Sequence, residues 1–347
     1  MLRFDMGWRR TVASGVIAIV LFVVLLLGVG WKRVLAEVGN ADPTFVVLAL
    51  VTAMVALIAR SMTVLLLLST VEEGWRPGRV VTIYAFGTFL RNVLPWGRTA
   101  GSALTAYLFA RESRSEFEPS FAVLVVAETL SLLASLVVMA IGGTLLIATR
   151  TLPIRGGLTA VVVSMAALVV GVAFFLVVRP AWTLALAARL FEATWRAVAV
   201  IPFRGGGRLT RTGLHERVDR FRVTMATVGA DAETVASGYL YAQAGWIATI
   251  LPLQWSLLAL GADPPVAVAM VVVPVGATAA IVPLPGGLGS IDFAMGALLV
   301  ALTDLSLAVV AATVVVYRVC SFWFPLTIGG LAGVYLNSVG PTTAPAD

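Results

Sequence analysis

The chain is long, apolar and sparsely charged. It has 347 residues, of which 60% are hydrophobic and 12% are charged, with a mean hydropathy of +0.99. This composition excludes a soluble globular protein, because apolar stretches of about twenty residues recur along the chain. A single cysteine excludes a disulfide framework. The net charge of +6 comes from an excess of arginine, which in a membrane chain indicates anionic lipid headgroups rather than nucleic acid as the partner.

Six apolar segments are predicted to cross a membrane as complete helices. The first follows Arg9 and Arg10, and its long apolar core favours an uncleaved signal anchor over a cleaved signal peptide. Proline in the first helical turn, as in Asp42-Pro43, marks where a helix starts. The six segments are residues 11–30, 44–68, 119–148, 158–178, 234–260 and 307–336.

Two further apolar segments, residues 80–110 and 266–302, are interrupted by glycine and proline. Each is predicted to form two half-length helices joined by a turn, Leu-Pro-Trp-Gly in the first and Leu-Pro-Gly-Gly in the second. Paired broken segments in corresponding halves of a chain indicate a transporter's binding site; a chance likeness between two Gly/Pro turns is the alternative. The predicted fold is an all-α polytopic membrane protein with six full spans, two broken helical hairpins and, if the turns correspond, an inverted repeat.

The distribution of arginine predicts the orientation in the cell membrane. Residues 179–233 carry nine arginines and five acidic residues, so the positive-inside rule makes this segment cytoplasmic. Arginines near the N-terminus and the parity of crossings place both termini in the cytoplasm. The broken segments then enter from opposite faces, either as re-entrant hairpins or as pairs of complete crossings. Residues 1–340 are predicted to form one transmembrane domain, followed by a disordered tail at 341–347.

A hydrophobic stripe runs along part of the cytoplasmic segment. Leu214, Val218, Phe221 and Met225 recur at helical spacing, and the neighbouring arginines mostly avoid this stripe. The pattern is typical of a basic amphipathic helix that lies on an anionic inner leaflet. An ordinary positively charged loop is the alternative interpretation.

Three charged residues, Arg60, Glu128 and Arg318, lie deep within apolar segments. A charge in hydrocarbon costs roughly 3 kcal/mol on insertion scales, so such residues usually face a bundle interior or a wet cavity. Hydroxyl-bearing residues share their helix faces, and we expect the three charges to face inward together. Two interpretations stay open, contact with a ligand and buried ion pairs that fix helix packing. Arg60 is also placed to extend toward an interface.

The residues around the two turns are suited to an anionic headgroup. Arg91 and Arg98 flank the first turn, and guanidinium groups bind phosphate in a bidentate manner. The ends of half-length helices add backbone N–H donors. In the second turn, backbone without side chains can approach a headgroup closely at Gly286, Gly287 and Gly289. Asp292 follows, either as a helix cap or as a counter-charge.

The sequence contains no recognisable catalytic or metal-binding constellation. His215 lies in the charged cytoplasmic segment, and neither a His-Glu-x-x-His motif, a Cys/His cluster nor a nucleotide-binding loop occurs. We therefore expect a protein that is not an enzyme and needs neither a metal ion nor another cofactor.

The second turn and the last apolar segment resemble the closing motif of the flippase-like transmembrane family, which includes the membrane half of the lysylphosphatidylglycerol synthases. The family pattern is a Pro-Gly-Gly-x-Gly turn, an acidic residue soon after it, and a Tyr-Arg pair in the last helix. Asp292 stands where the family usually has glutamate. Residues that match the pattern are Pro285, Gly286, Gly287, Gly289, Tyr317 and Arg318, while Asn92 and Glu128 match the family's first turn and mid-helix glutamate.

The resemblance implies a lipid-handling membrane domain without the soluble aminoacyl-transferase domain of the synthases. Ser102, Thr105 and Thr129 stand where the family often has charged residues, which argues against a lysyl-lipid headgroup as cargo. We expect a translocase for an anionic or phosphate-bearing lipid, such as a phospholipid or a polyprenyl-phosphate-linked sugar. Arg91, Arg98 and Arg318 would bind the phosphate, with Glu128 and Asp292 as counter-charges or proton carriers.

Two other functions stay open. One is a non-transporting accessory subunit of a lipid or glycan pathway, which would act with a membrane partner or as a homo-oligomer. The other is a transporter of a small soluble molecule. A headgroup-sized groove open to lipid would favour the translocase. A closed core with fully paired charges would favour the accessory subunit, and a cavity open only to water would favour the solute transporter.

Overall fold

The computed structural model describes residues 31–94, 97–113, 115–149, 211–281 and 284–339. Within these ranges the regular structure is helical and contains no β-strand, which confirms the predicted all-α class. The helices are α1 (Trp31–Gly39), α2 (Pro43–Ser69), α3 (Pro77–Val93), α4 (Gly97–Ser113), α5 (Phe117–Ala148), α6 (Arg211–Ala230), α7 (Ala232–Ala259), α8 (Val266–Thr278), α9 (Ser290–Leu302), α10 (Leu307–Arg318) and α11 (Phe324–Val339).

The two helices at the centre of the protein, α2 and α7, begin at aspartate caps. Asp42 Oδ1 accepts a hydrogen bond of 2.8 Å from the Thr44 backbone N–H, and Pro43 occupies a position where no N–H partner is needed. Asp231 Oδ1 accepts from the Thr234 backbone N–H at 3.1 Å, and its Oδ2 accepts from the Thr234 hydroxyl at 2.7 Å. These hydrogen bonds, the one from the hydroxyl foremost, lower the pKa of the exposed Asp231 carboxyl.

Both broken segments form pairs of half-length helices, as predicted. α3 and α4 have 17 residues each, and α8 and α9 have 13 each, so each helix is roughly 20–25 Å long at 1.5 Å per residue. In the second break Gly286, Gly287 and Gly289 have φ angles of 59°, 62° and 82°. Residues with a side chain adopt such angles only at a cost, so the turn depends on glycine. Two arrangements of the hairpins stay open: they are re-entrant, or their helices cross the membrane completely.

Two halves of the described chain repeat the same order of helices, with α2 to α5 equivalent to α7 to α11. The packing repeats as well: α3 packs against α11 as α8 packs against α5, and both hairpins pack onto the helix that follows them. The two turns therefore occupy corresponding places in the two halves. Equivalent helices begin 189 or 190 positions apart, at Pro43 and Ala232, at Pro77 and Val266, and at Phe117 and Leu307.

The equivalent helices α2 and α7 run antiparallel. At one end the Asp42 backbone N–H donates to the Ala259 carbonyl at 2.8 Å. Toward the other end the Thr63 hydroxyl donates to the Gly238 carbonyl at 3.2 Å. Because equivalent helices point in opposite directions, the two halves form an inverted repeat.

Three helical units of the described chain are long and apolar enough to cross a membrane. They are α2, α5 and the continuous helix Leu307–Val339, which joins α10 and α11. The predicted segment at 234–260 forms α7. The predicted spans at 11–30 and 158–178, and the tail at 341–347, lie outside the described residues, so the count of six spans stays a prediction.

A π-helical segment, Val319–Trp323, joins α10 to α11 without a break. It immediately precedes the turn that carries Pro325. Proline has no N–H to donate to the carbonyl of Ser321, and its ring crowds that carbonyl. The wider π turn accommodates this defect, as such segments often do inside long helices. The proline therefore distorts the helix without ending it.

Helix α6 corresponds to the predicted amphipathic stripe, but its apolar side contacts protein. Phe221 and Met225 are buried against the first turns of α5. Arg217 Nη1 also donates to Glu118 Oε1 at 2.9 Å, which ties α6 to the start of α5. The interpretation of this stripe as a lipid-facing surface is therefore wrong for these residues, because α5 supplies an apolar partner. The preceding part of the basic segment, residues 179–210, lies outside the described residues.

Candidate functional site

A polar cavity of about 900 Å³ lies between the two halves of the protein. Its volume is in the range of pockets that bind small molecules and cofactors. Helices α2, α5 and α7 contribute to its walls, together with both broken hairpins. The charged residues among its described lining are Arg60, Arg91 and Glu128. Further polar or aromatic groups come from Tyr84, Asn92, Ser102, Ser131, Trp246, Thr249 and Ser321.

Arg91 and Glu128 form an ion pair on one wall of this cavity. Arg91 lies in the last turn of α3, and its Nη1 donates to Glu128 Oε1 of α5 at 2.5 Å. The Glu128 side chain is 45% exposed and that of Arg91 is 19% exposed. Arg91 Nε and Nη2 are buried and make no hydrogen bond within the described residues. Arg91 is therefore a buried cation that is balanced by Glu128 and also interacts with Tyr84.

The backbone of Arg91 is held by the other arm of its hairpin. A Cβ atom placed on Gly101 of α4 would lie only 2.6 Å from Arg91 Cα. The two arms therefore meet at this point, and only a residue without a side chain fits there. The hairpin fixes where the Arg91 side chain leaves the helix and reaches Glu128.

Arg60 lies on another wall, where α2 and α7 cross. Its Nη2 donates to the Thr249 hydroxyl at 2.9 Å, and its guanidinium lies over the Trp246 ring, 5.2 Å from the ring centroid. Trp246 Nε1 donates in turn to Ser131 Oγ of α5 at 3.0 Å. Arg60 is thus oriented by α7, and through Trp246 it is connected to the helix that carries Glu128.

Arg318 is buried behind the second turn and binds it. Its Nε donates to Asp292 Oδ1, its Nη2 to the Gly287 carbonyl at 3.0 Å, and its Nη1 to the Gly286 carbonyl at 3.4 Å. Asp292 Oδ2 accepts from the Gly289 N–H at 2.7 Å, so Asp292 also caps α9. Each guanidinium nitrogen of Arg318 has a protein partner. We call this arrangement the turn clamp: Arg318, Asp292 and residues 286–289.

The two turns approach each other. Asn92 is near the end of α3, just before the first turn, and a Cβ atom on Gly286 would lie 3.5 Å from the Asn92 carbonyl oxygen. Both residues line the cavity. The broken hairpins thus meet beside the site rather than at distant ends of the protein.

The structure divides the predicted site residues into two groups. Those that line the cavity are Arg91, Asn92, Glu128, Gly286 and Gly287. Those that are buried beside it, outside the described lining, are Gly289, Asp292, Tyr317 and Arg318. Arg98 lies in the first turn of α4, and its side chain is outside the described part. Arg60 and Glu128 share one polar interior as expected, whereas Arg318 is engaged by the turn clamp, which favours the ion-pair interpretation for that residue.

Sequence reasoning undervalued Arg60 and missed Trp246 and Thr249. The separation of 189 positions between the halves carries the missing signal, because Thr249 stands 189 residues after Arg60 and occupies the equivalent position. Trp246 lies one helical turn before Thr249. Equivalent positions on two crossing antiparallel helices come together at the crossing, so the repeat would have placed these side chains beside Arg60.

Comparison with known proteins identifies the family. A profile described as the lysylphosphatidylglycerol synthase TM region matches residues 11–329. A UPF0104 membrane protein of Methanothermobacter thermautotrophicus is 27% identical over 336 residues, which covers 94% of this chain and 93% of that protein. A second UPF0104 protein of the same organism is 26% identical over 339 residues, covering 93% and 94% of the two chains. A UPF0104 membrane protein of Pyrococcus horikoshii is 24% identical over 321 residues, covering 91% and 94%. The chain therefore belongs to the lysylphosphatidylglycerol synthase TM region family of membrane proteins.

Proposed function

We propose that the chain translocates a phosphate-bearing lipid between membrane leaflets, with the headgroup held in the central cavity. The observation that carries the proposal is the charge of this cavity. Its described lining has two guanidinium groups, on Arg60 and Arg91, and one carboxylate, on Glu128. Guanidinium groups favour phosphate because their planar N–H donors match its oxygens in pairs. A cavity with excess positive charge inside a membrane protein thus supports an anionic ligand.

The inverted repeat supports transport over a purely structural role. Broken helices that meet at the interface of two inverted halves are a common way to build a transporter's binding site. A non-transporting accessory subunit has less support, because a closed and fully paired core would suit it better than a cavity of about 900 Å³ with three charged side chains in its described lining. The proposal assigns no catalytic step to the chain.

The ion pair gives the cavity a way to change its charge. Glu128 balances the charge of Arg91 at 2.5 Å. A phosphate that binds Arg91 would compete with this carboxylate. Glu128, being half-exposed at the cavity, is the candidate group for a coupled proton. We propose this role for it, with the cell membrane as the location and both termini in the cytoplasm.

A reconstitution experiment tests the proposal. The purified chain is placed in liposomes that contain fluorescent phosphatidylglycerol, and the fraction of probe that is quenched from outside is followed over time, with and without an imposed proton gradient. We expect faster movement of this lipid than in protein-free liposomes, and slower movement of the zwitterionic phosphatidylcholine probe. Uptake of soluble glycerol phosphate, without lipid movement, would instead indicate the solute transporter. No acceleration of either would contradict transport.

A further inference from the structure

Arg60 holds a charge deep within the protein and has no carboxylate partner among the described residues. It lies nine residues before the end of α2 at Ser69, roughly 13 Å along the helix at 1.5 Å per residue. The ion pairs of the described residues use other arginines, and Thr249 accepts the one hydrogen bond that Arg60 makes there. Charges at this depth in a membrane are unfavourable and are usually paired. Arg60 thus lacks the usual compensation.

The side chain of Arg60 is held in place rather than left to extend toward an interface. Thr249 fixes one edge of the guanidinium, and the Trp246 ring covers one face. A Cβ atom on Gly245 would lie 3.1 Å from Arg60 Cγ, so α7 passes closely against the aliphatic stem. Arg60 Nε is buried and has no hydrogen-bond partner within the described residues. The guanidinium is therefore oriented in advance and still has donors to spare, as a ligand anchor requires.

The charges of the described cavity lining leave a surplus of one. Arg91 is paired with Glu128, so their charges cancel and Arg60 supplies the surplus. A phosphodiester carries a single negative charge and would neutralise it. A phosphomonoester carries about 1.5 to 2 negative charges at pH 7 and would leave negative charge uncompensated in a site of low dielectric constant. The charge of the described lining therefore matches a phosphodiester more closely than a phosphomonoester.

We infer that Arg60, together with Thr249 and Trp246, forms a subsite for the single phosphodiester of a monoanionic lipid headgroup. This inference rests on the proposed function and deepens it by naming the anchor and the headgroup class. A soluble phosphodiester or phosphate presents the same oxygens to the same donors. The lipid is distinguished from it only by chains that remain in the bilayer.

Lipid binding to the detergent-purified chain tests the subsite directly. Native mass spectrometry measures the affinities for phosphatidylglycerol, phosphatidylcholine and phosphatidic acid, which differ in headgroup charge. We expect the wild-type chain to prefer phosphatidylglycerol. Arg60→Gln should lower that affinity roughly ten- to hundredfold, as is typical when a charge-assisted hydrogen bond is lost, and should abolish the preference over phosphatidylcholine. Arg222→Gln removes an exposed arginine of α6 and should change neither.

Further variants keep the test decisive. Arg60→Lys retains the charge without the planar fork, so it should preserve the preference for phosphatidylglycerol with weaker binding. This variant decides the matter if Arg60→Gln does not fold. Wild-type affinity in Arg60→Gln, or equal binding of the three lipids to the wild-type chain and to Arg60→Lys, would overturn the inference.

Two additional measurements are needed. One distinguishes a lipid from a soluble phosphate as the ligand, and the other distinguishes binding from translocation. Soluble glycerophosphoglycerol, which is the phosphodiester headgroup of phosphatidylglycerol without acyl chains, is added in competition. Weak competition is expected for a lipid site, whereas displacement of phosphatidylglycerol at equal concentration would overturn the assignment to a lipid. If the liposome experiment shows no lipid movement while binding still depends on Arg60, translocation fails and the subsite stands.

Discussion

Glu128 and Arg318 occupy equivalent positions in the two halves of the protein, yet they have opposite charges and opposite surroundings. Each is the twelfth residue of its helix, in α5 and α10 respectively. Glu128 is half-exposed at the cavity and pairs with Arg91, whereas Arg318 is buried in the turn clamp. Ser102, in the first hairpin, lines the cavity. The repeat has therefore diverged into an open polar site in one half and a closed clamp in the other.

The clamp predicts that Arg318 matters first for stability. In Arg318→Gln the buried Asp292 carboxylate loses its cationic partner, and the carbonyls of Gly286 and Gly287 lose donors. Removal of one partner from a buried pair typically costs about 3–5 kcal/mol. We expect a clear fall in the thermal unfolding temperature of the purified chain, with partial recovery in the Arg318→Gln/Asp292→Asn double variant. An unfolding temperature like that of the wild type, with lipid binding lost, would instead favour direct contact between Arg318 and a headgroup.

The ion pair between Arg91 and Glu128 leads to a prediction about lipid affinity. Substitution of the two residues should change the affinity for an anionic lipid in opposite directions. Glu128→Gln releases Arg91 and raises the charge of the described lining, so phosphatidylglycerol should be retained more tightly, by up to about tenfold, or ~1.4 kcal/mol. Arg91→Gln should weaken retention by a similar factor. In the double variant Arg60 remains as the charged residue of the described lining, so its lipid binding should resemble that of the wild type, which native mass spectrometry can measure. Weaker binding in Glu128→Gln, without recovery in the double variant, would show that Glu128 itself contacts the ligand.

Local signals in the sequence were sufficient to predict much of the fold. Helices α2 and α5 appear within two residues of the predicted boundaries, because hydropathy and first-turn proline act over a few neighbouring residues. The breaks were predictable for the same reason, since proline together with closely spaced glycines disfavours a continuous helix. The inverted repeat could be predicted only by comparing the two halves of the sequence. Their sequences are similar enough for such a comparison only around the two turns.

The partners of the charged residues could not be predicted from local signals. Arg318 and Arg60 lie in similarly apolar helices, and only the tertiary structure places Asp292 beside one and Thr249 beside the other. The interpretation of the apolar stripe of α6 as a lipid-facing surface was wrong for a related reason. Its burial is equally favourable against lipid or against another helix, because lipid chains are about as apolar as the side chains that would replace them. Hydropathy alone therefore cannot distinguish the two surfaces.

Alanine substitutions at glycines with positive φ should lower stability to different extents, depending on how closely neighbouring atoms pack around each glycine. Gly261 has a φ of 73° with nothing within 4 Å of an added Cβ, whereas at Gly287, with a φ of 62°, an added Cβ would collide with Ile291. Gly261→Ala should cost only the backbone term, about 1–2 kcal/mol. Gly287→Ala should lower the unfolding temperature further, because it also displaces a carbonyl that Arg318 binds. Equal losses in the two variants would argue against a tightly packed turn.

The predicted topology can be tested with single cysteines. Cys320 is buried, and Cys320→Ala supplies a background without reactive thiols. Arg222→Cys in α6 should react with a membrane-impermeant maleimide only after the cells are permeabilised, because arginine bias predicts a cytoplasmic location. Asp263→Cys lies beyond the far end of α7 and should react in intact cells if α7 crosses the membrane. Labelling of both positions from the same side would contradict the predicted orientation.

The contact between α6 and α5 contains two ion pairs that should differ in their contribution to stability. Glu118 is 3% exposed and pairs with Arg217 at 2.9 Å, whereas Glu116 and Arg220 are 58% and 40% exposed and pair at 2.8 Å. Arg217→Gln leaves a buried carboxylate without its partner, so the unfolding temperature should fall and should recover in Arg217→Gln/Glu118→Gln. Arg220→Gln should change stability by no more than about 1 kcal/mol, because solvent already screens its pair.

The comparison also tests how α6 is attached. If α6 is held by its buried face, Phe221→Ala should destabilise the protein more than either arginine variant, since its side chain packs against Phe121 of α5 with ring centroids 6.1 Å apart. Loss of a buried phenylalanine typically costs about 3–5 kcal/mol. Thermal unfolding of the three variants, measured in the same detergent, provides the ranking. A larger loss in Arg220→Gln than in Phe221→Ala would mean that exposed charges, rather than apolar contact with α5, hold this helix in place.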